Sequence, residues 1–234
     1  MERRHAHPGL THLQARWRHG SLCVLLGVQV FIIFGAGPLL ALGTPISPPV
    51  AAFGLLTVIF FVVVASPSLV PTLVIVAALL FNAAAAVSLR WAGGPDGATP
   101  RVFWLDAIGV TLSIAGLSWV VIQLVFAPGS IDRYRIVGAV VLYLNIALLF
   151  DAFYRLILEL SPAAFGGVSS GYSATRWTGE LMYFSMTTLT TVGYGDIVPI
   201  HPIARSLSNL EGLLGQLYPA IILARIMTLY QPRR

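Results

Sequence analysis

The chain has 234 residues, 57% of them hydrophobic and only 10% charged, with a mean hydropathy of +0.84. A soluble domain carries about 25% charged residues, so this composition excludes an ordinary soluble fold and points to several membrane-spanning segments. The formal charge is +5, and all 14 basic residues are arginines scattered between apolar stretches, which leaves no concentrated basic face for nucleic acid.

Residues 1–19 form a tail rich in arginine and histidine, with Arg3, Arg4, Arg16, Arg18, His5, His7, His12 and His19. The histidine spacing is irregular for a metal site; a tail lying at an anionic lipid surface fits better. A spanning helix needs roughly 20 mostly apolar residues, and the stretches 21–42, 49–66, 69–90, 103–127, 134–160 and 203–230 qualify. The first is longer than the h-region of a signal peptide and no small-x-small site follows it, so it reads as a retained helix. Pro38 should kink or end that helix by removing a backbone donor. Cys23, the single cysteine, is expected to be a small buried apolar residue. Pro67 and Pro71 blur the boundary between the second and third spans.

Arginine-rich ends belong on the cytoplasmic side. The tail, the 128–135 link with Arg133 and Arg135, and the C-terminal Arg233 and Arg234 fall on one side; Arg90, Arg101 and Arg176 fall on the other. Both termini are therefore expected in the cytoplasm of a multi-pass cell-membrane protein, with residues 20–132 as a four-helix module and 133–230 as a second domain.

Residues 161–202 are the one long connection. After a stretch rich in glycine and serine, 178–190 reads as a short helix, with Thr178 as N-cap and Glu180 in the first turn, where the helix dipole favours negative charge. Too short to span, it must enter the membrane and turn back, which is tolerated only where backbone is buried in protein or lines water.

That helix leads into Thr187-Thr188-Leu189-Thr190-Thr191-Val192-Gly193-Tyr194-Gly195-Asp196. Successive carbonyls can be turned to one side if the backbone alternates through φ > 0, which Gly193 and Gly195 allow without a Cβ penalty. Thr191 adds a hydroxyl oxygen. Val192 and Tyr194 are expected to point away and pack behind. The short helix aims its carbonyl end, with its partial negative charge, at the same point, which favours a cation. Thr187 and Thr190 stand behind the run, and Asp196 at its outer mouth can attract cations.

With its flanking helices and Pro199, the run Thr190–Asp196 resembles the pore domain of the tetrameric potassium channels, over residues 134–230, about two-fifths of the chain. In that family, rings of carbonyls from four Thr-Val-Gly-Tyr-Gly loops replace the hydration shell of potassium. The resemblance implies an all-α membrane protein with six transmembrane helices, a re-entrant pore helix, an extended selectivity filter and a tetrameric pore. It implies K+ held at Thr191, Val192, Gly193 and Tyr194, with Gly195 completing the filter. One chain supplies one strand in four, so a homotetramer is expected. Gly215 has the spacing of the family's inner-helix hinge. The partners implied are K+, the lipid bilayer and copies of the same chain, with no cofactor and no enzymatic activity.

Channels of this family with six spans often carry arginines along the fourth helix as a voltage sensor. Residues 102–132 contain no basic residue, so steep voltage gating is not expected. The short link at 128–132 should keep each four-helix module beside its own pore helices. Few residues follow the last span, which places any gate in the filter or the inner helix. Gly212, Gly215 and Pro219 could bend that helix, with Gln216, Pro219, Leu223 and Met227 on its pore face.

Ionisable residues at membrane depth suggest function. Asp151, Arg155 and Glu159 share one helical face as a self-neutralising ladder. Glu211 is expected to hydrogen-bond behind the filter, with Thr187 or Thr188. Asp106 can pair with Arg101, and Asn82 and Asn145 are expected to make interhelical hydrogen bonds. A rival reading is a Gly-x-Gly-Asp intramembrane protease using Asp151 and Asp196. Against it, Pro219-Ala220-Ile221 only approaches that family's Pro-Ala-Leu motif, and an exit loop follows Asp196. A transporter with four pore loops in one chain is disfavoured by the single loop here.

Overall fold

A computed structural model describes residues 22–42, 100–126, 133–168 and 174–229, with isolated helical positions at 58, 73, 76, 77 and 80. The expected tail, most of the second and third spans, Asn82, and the side chains of Arg101, Asp106 and Thr178 lie outside the described residues.

Helix α1 covers residues 22–41, α2 Pro100–Val125, α3 Arg133–Leu160, α4 Ala174–Leu189 and α5 Pro202–Leu229. Leu22–Leu39 and Arg135–Leu160 are long and apolar enough to cross a membrane, and Ile108–Gln123 is a shorter apolar run within α2. α5 has 28 residues, about 42 Å at 1.5 Å per residue, but Arg205, Glu211 and Arg225 interrupt its apolar sequence.

Pro38 does not end α1. The helix widens into a π-turn over Ile32–Ala36, where Gly37 N–H donates to the Ile32 carbonyl, and Gly37–Ala41 then continue as α-helix. Slipping the hydrogen-bond register one residue before the proline absorbs its missing donor and ring bulk. Cys23 is exposed, not buried. It shares its outward face with Val24, and an outward apolar residue is unpenalised where the surroundings are lipid.

One core joins α1, α2 and α3 through Leu22, Leu25, Leu117, Val120, Val121, Val125, Val141 and Leu142, with Tyr218 and Ile222 of α5 against it. Nearby, Gln29 Nε2 donates to Asn145 Oδ1 at 2.5 Å, both residues being buried. Asn145 thus makes the interhelical bond expected of it, with a partner 116 residues away.

A second core surrounds α4, built from Phe150, Tyr154 and Leu158 of α3, Phe165, Leu181, Phe184, Ile197 and Ala204. The rings of Tyr154, Phe165 and Phe184 meet edge to face at 5.1–5.5 Å, a favoured arrangement. The chain entering α4 and the chain leaving the run after it are clamped by two short antiparallel strands, β1 (Phe165–Gly166) and β2 (Val198–Pro199), pairing Phe165 with Pro199. Ile200 and His201 both donate backbone N–H to the Ala164 carbonyl, and Arg205 Nε to that of Pro199.

α4 has 16 residues and starts at Ala174, a turn earlier than expected. Thr178 therefore sits inside the helix instead of capping it, and Glu180 lies beyond the first turn. Trp177 packs on the second core, which anchors the extra turn. At about 24 Å, α4 is still shorter than the ~30 Å hydrocarbon layer.

Candidate functional site

α4 ends at Leu189, and the chain that follows folds back on the helix it has just left. Thr190 N–H donates to Met186 O at 3.0 Å and Thr191 N–H to Thr188 O at 3.0 Å. Val192 and Gly193 N–H both reach Thr187 O, at 2.8 and 3.2 Å. No peptide bond here is cis, and in a trans unit the N–H and the preceding C=O point in opposite directions. The carbonyls of Thr191 and Val192 are consequently directed away from α4.

The backbone enters the left-handed region at alternate residues: φ is +59° at Thr191, +52° at Gly193 and +79° at Gly195. The two glycines do what their lack of Cβ permits. Thr191 was not expected there. A β-branched residue at positive φ is a strained outlier of about 1–3 kcal/mol, a kind of strain that clusters at functional sites. The bonds to Thr187 and Thr188 on either side hold it, and Gln216 Nε2 of α5 lies 3.4 Å from its hydroxyl. Gln216, Pro219, Leu223 and Met227 are all exposed on the subunit.

Thr187 supports this stretch through its carbonyl; its hydroxyl donates to Phe184 O at 3.0 Å, and that of Thr190 to Met186 O at 2.6 Å. Tyr194 stacks on Tyr183 of α4, centroids 6.3 Å apart and planes 3° from parallel. The exposed Asp196 carboxylate lies close enough to the Tyr183 hydroxyl to interact with it electrostatically. Val192 is exposed on the subunit.

Two contacts escaped the sequence reading. Gly167 has φ +82°, and a Cβ there would stand 1.8 Å from the Asp196 carbonyl. Only glycine lets the incoming strand lie against the backbone at Asp196. Gly167→Ala is expected to destabilise the protein by the roughly 1–3 kcal/mol of forced overpacking, read as a lower melting temperature. An unchanged thermal scan would contradict this contact. The other is at Gly215, where a Cβ would stand 1.8 Å from Leu189 O. α5 runs as helix through this position, and the glycine admits the last carbonyls of α4 against it. The Tyr143 hydroxyl donates to the same Leu189 carbonyl at 3.2 Å, and Tyr143 packs on Tyr218, whose hydroxyl donates to Ala139 O at 2.7 Å.

The register between α4 and α5 follows from that contact. Four residues back along each helix from Leu189 and Gly215 stand Ser185 and Glu211. Glu211 is fully buried; its Oε2 accepts the Tyr154 hydroxyl at 2.6 Å, and its Oε1 is hydrogen-bonded to Ser185 Oγ. Its partners are thus Ser185 and Tyr154, not the expected Thr187 or Thr188, which lie nearer the end of α4. Ser185 Oγ also lies 2.8 Å from the carbonyl of Ala147 in α3.

Buried Asp151 pairs with Arg155 at 3.1 Å. Glu159 is exposed and does not join them, so the ladder is realised only in its first rung. Asp151 is thus paired with Arg155, while Asp196 is exposed. At the far end of α5, the Arg225 guanidinium lies 4.3 Å from the centroid of Phe126, just past α2.

Residues 134–231 match the family described as ion channel. The chain is 32% identical over 88 residues to the voltage-gated delayed rectifier potassium channel KCNH1 of Rattus norvegicus, covering 33% of this chain and 9% of that protein. It is 43% identical over 42 residues to the inward rectifier potassium channel Kirbac3.1 of Paramagnetospirillum magnetotacticum, covering 18% of this chain and 14% of that one. The match thus spans only a small fraction of each relative's length. Residues 134–231 thus match an ion-channel domain and are similar over part of that stretch to potassium channels, in a mostly helical chain with two helices long and apolar enough to cross a membrane. The family and these relatives are channels and not enzymes, which removes the protease reading.

Proposed function

We propose that this chain is one subunit of a homotetrameric channel that conducts K+ passively and selectively. The carbonyls of Thr191, Val192, Gly193 and Tyr194 and the Thr191 hydroxyl replace the hydration shell of the ion, and Gly195 and Asp196 form the outer mouth. The observation that carries this reading is the anchoring of the Val192 and Gly193 amides on Thr187 O, which turns the opposing carbonyls to the free side of the loop. The exposed apolar side chains of α5, Leu210, Leu213, Leu217 and Ile221, recur at helical spacing and supply a surface for neighbouring subunits. Six spans with both termini in the cytoplasm, a bend in the inner helix at Gly215, and conduction without steep voltage dependence complete the proposal.

The test is reconstitution of the purified protein in liposomes. Potassium flux well above sodium flux, varying only weakly with membrane potential, is the expected outcome. Equal fluxes of the two ions would refute selectivity, and a steep dependence on potential would refute the account of residues 102–132.

A further inference from the structure

Glu211, Ser185 and Tyr154 are fully buried, and each stands on a different helix of the pore region. A count of their protons constrains the state of the carboxyl group. A serine hydroxyl carries one proton, and a backbone carbonyl can only accept. Ser185 Oγ lies 2.8 Å from Ala147 O and is also hydrogen-bonded to Glu211 Oε1. If the Ser185 proton went to Glu211, Ser185 Oγ and Ala147 O would be left as two buried acceptors in contact. If it goes to Ala147, the contact with Glu211 needs another proton, and only the carboxyl can supply it. Tyr154 then donates to the remaining oxygen, Oε2, at 2.6 Å.

The charged and titratable neighbours agree. From α3, Tyr154 touches the carboxyl, while Asp151 and Tyr143 interact with it electrostatically. Arg155 is already paired with Asp151 at 3.1 Å. From α4 the group bonded to Glu211 is the neutral Ser185. No cation is bonded to Glu211 among the described residues, and an unpaired buried charge takes up a proton when it can.

We infer that Glu211 is a neutral carboxylic acid heading a hydrogen-bond relay, Glu211 to Ser185 to Ala147 O, that fixes α5 and α3 to α4. The relay grips α4 one half-turn before Thr187, whose carbonyl anchors the filter amides. Glu211 is thus a positioning residue for the filter, acting through Ser185 and α4. This inference rests on the channel reading for its functional consequence and on the hydrogen bonds alone for the protonation state.

The experiment therefore has two independent readouts on the full-length protein. The first is the infrared difference spectrum of wild type minus Glu211→Gln at neutral pH. A carbonyl stretch of a protonated carboxylic acid, shifted by Ser185→Ala, is expected; a spectrum with only carboxylate bands overturns the inference whatever the protein conducts. The second is potassium and sodium flux in liposomes. The Gln amide can donate to Ser185 and accept from Tyr154, so Glu211→Gln should keep flux within about twofold of wild type. Glu211→Ala and Glu211→Asp, which cannot span the gap, should lose selectivity. Equal loss in Gln and Ala variants would overturn the positioning role. Absence of potassium flux from wild type would instead sink the channel reading and leave the infrared result to stand alone.

Discussion

Gly193→Ala is expected to abolish selective potassium flux while leaving the subunit folded. At φ +52° an L-residue is disfavoured, by roughly 1–2 kcal/mol. In the proposed fourfold ring the same penalty falls on every strand, about 4–8 kcal/mol in all. No atom of the subunit lies within 4 Å of the added Cβ, so the effect is conformational and local. The alanine strand relieves it by rotating the peptide, which takes a carbonyl away from the ion. Potassium flux should drop at least about tenfold, since 1.4 kcal/mol already changes an equilibrium by that factor. Helical circular dichroism should not change. Wild-type flux and selectivity in the variant would show that this stretch does not hold the ion.

The second large effect is expected at Gly215. Its added Cβ would meet a backbone oxygen, Leu189 O, at 1.8 Å, and backbone cannot step aside as the tip of a flexible side chain can. Gly215→Ala should push α5 away from the end of α4, at about 1–3 kcal/mol or more per subunit, and disturb the carbonyls next to the filter. Gly212→Ala is the control. Its Cβ would come no closer than 3.9 Å to Thr188 O, and alanine is the better helix former by about 1 kcal/mol. The measured pair should diverge: a lower melting temperature and weaker flux for Gly215→Ala, neither for Gly212→Ala. If bending is all that Gly215 supplies, its alanine variant will keep the melting temperature and change only how often the channel opens.

These two glycines show which parts of the site could be read from the sequence. Gly193 was legible because its role is local: a glycine inside a run of carbonyl-bearing residues announces a backbone that must enter φ > 0. The hinge reading of Gly215 came from spacing alone. That the glycine also admits Leu189 O depends on which helix lies opposite, and no window of sequence holds that information. The same limit separates Glu211 from its partners. A buried acid in a membrane helix was recognisable as important, but Ser185 and Tyr154 stand 26 and 57 residues away and were chosen by the register of α4 on α5. Asn145 repeats the pattern: its need for an interhelical partner could be foreseen, Gln29 could not.

Elsewhere the misreadings have local causes. Cys23 was expected inside because small apolar residues favour protein interiors, a rule that weakens where the outside is lipid. Pro38 was expected to kink or end α1; the helix takes a π-turn ahead of it and runs on to Ala41. Thr178 offered a plausible cap, yet Trp177 found a place in the core and drew the helix back a turn. The left-handed φ of Thr191 had no signal at all, since the residue type argues against it. It persists because the neighbouring amides are fastened to Thr187 and Thr188.

The most direct measurement is the anomalous scattering of thallium or rubidium soaked into the assembled protein. A column of peaks on a fourfold axis, each caged by oxygens of Thr191, Val192, Gly193 or Tyr194 from four subunits, is the result expected. An assembly without fourfold symmetry, or an axis empty of heavy cations with those oxygens turned toward lipid, would contradict the account at its root.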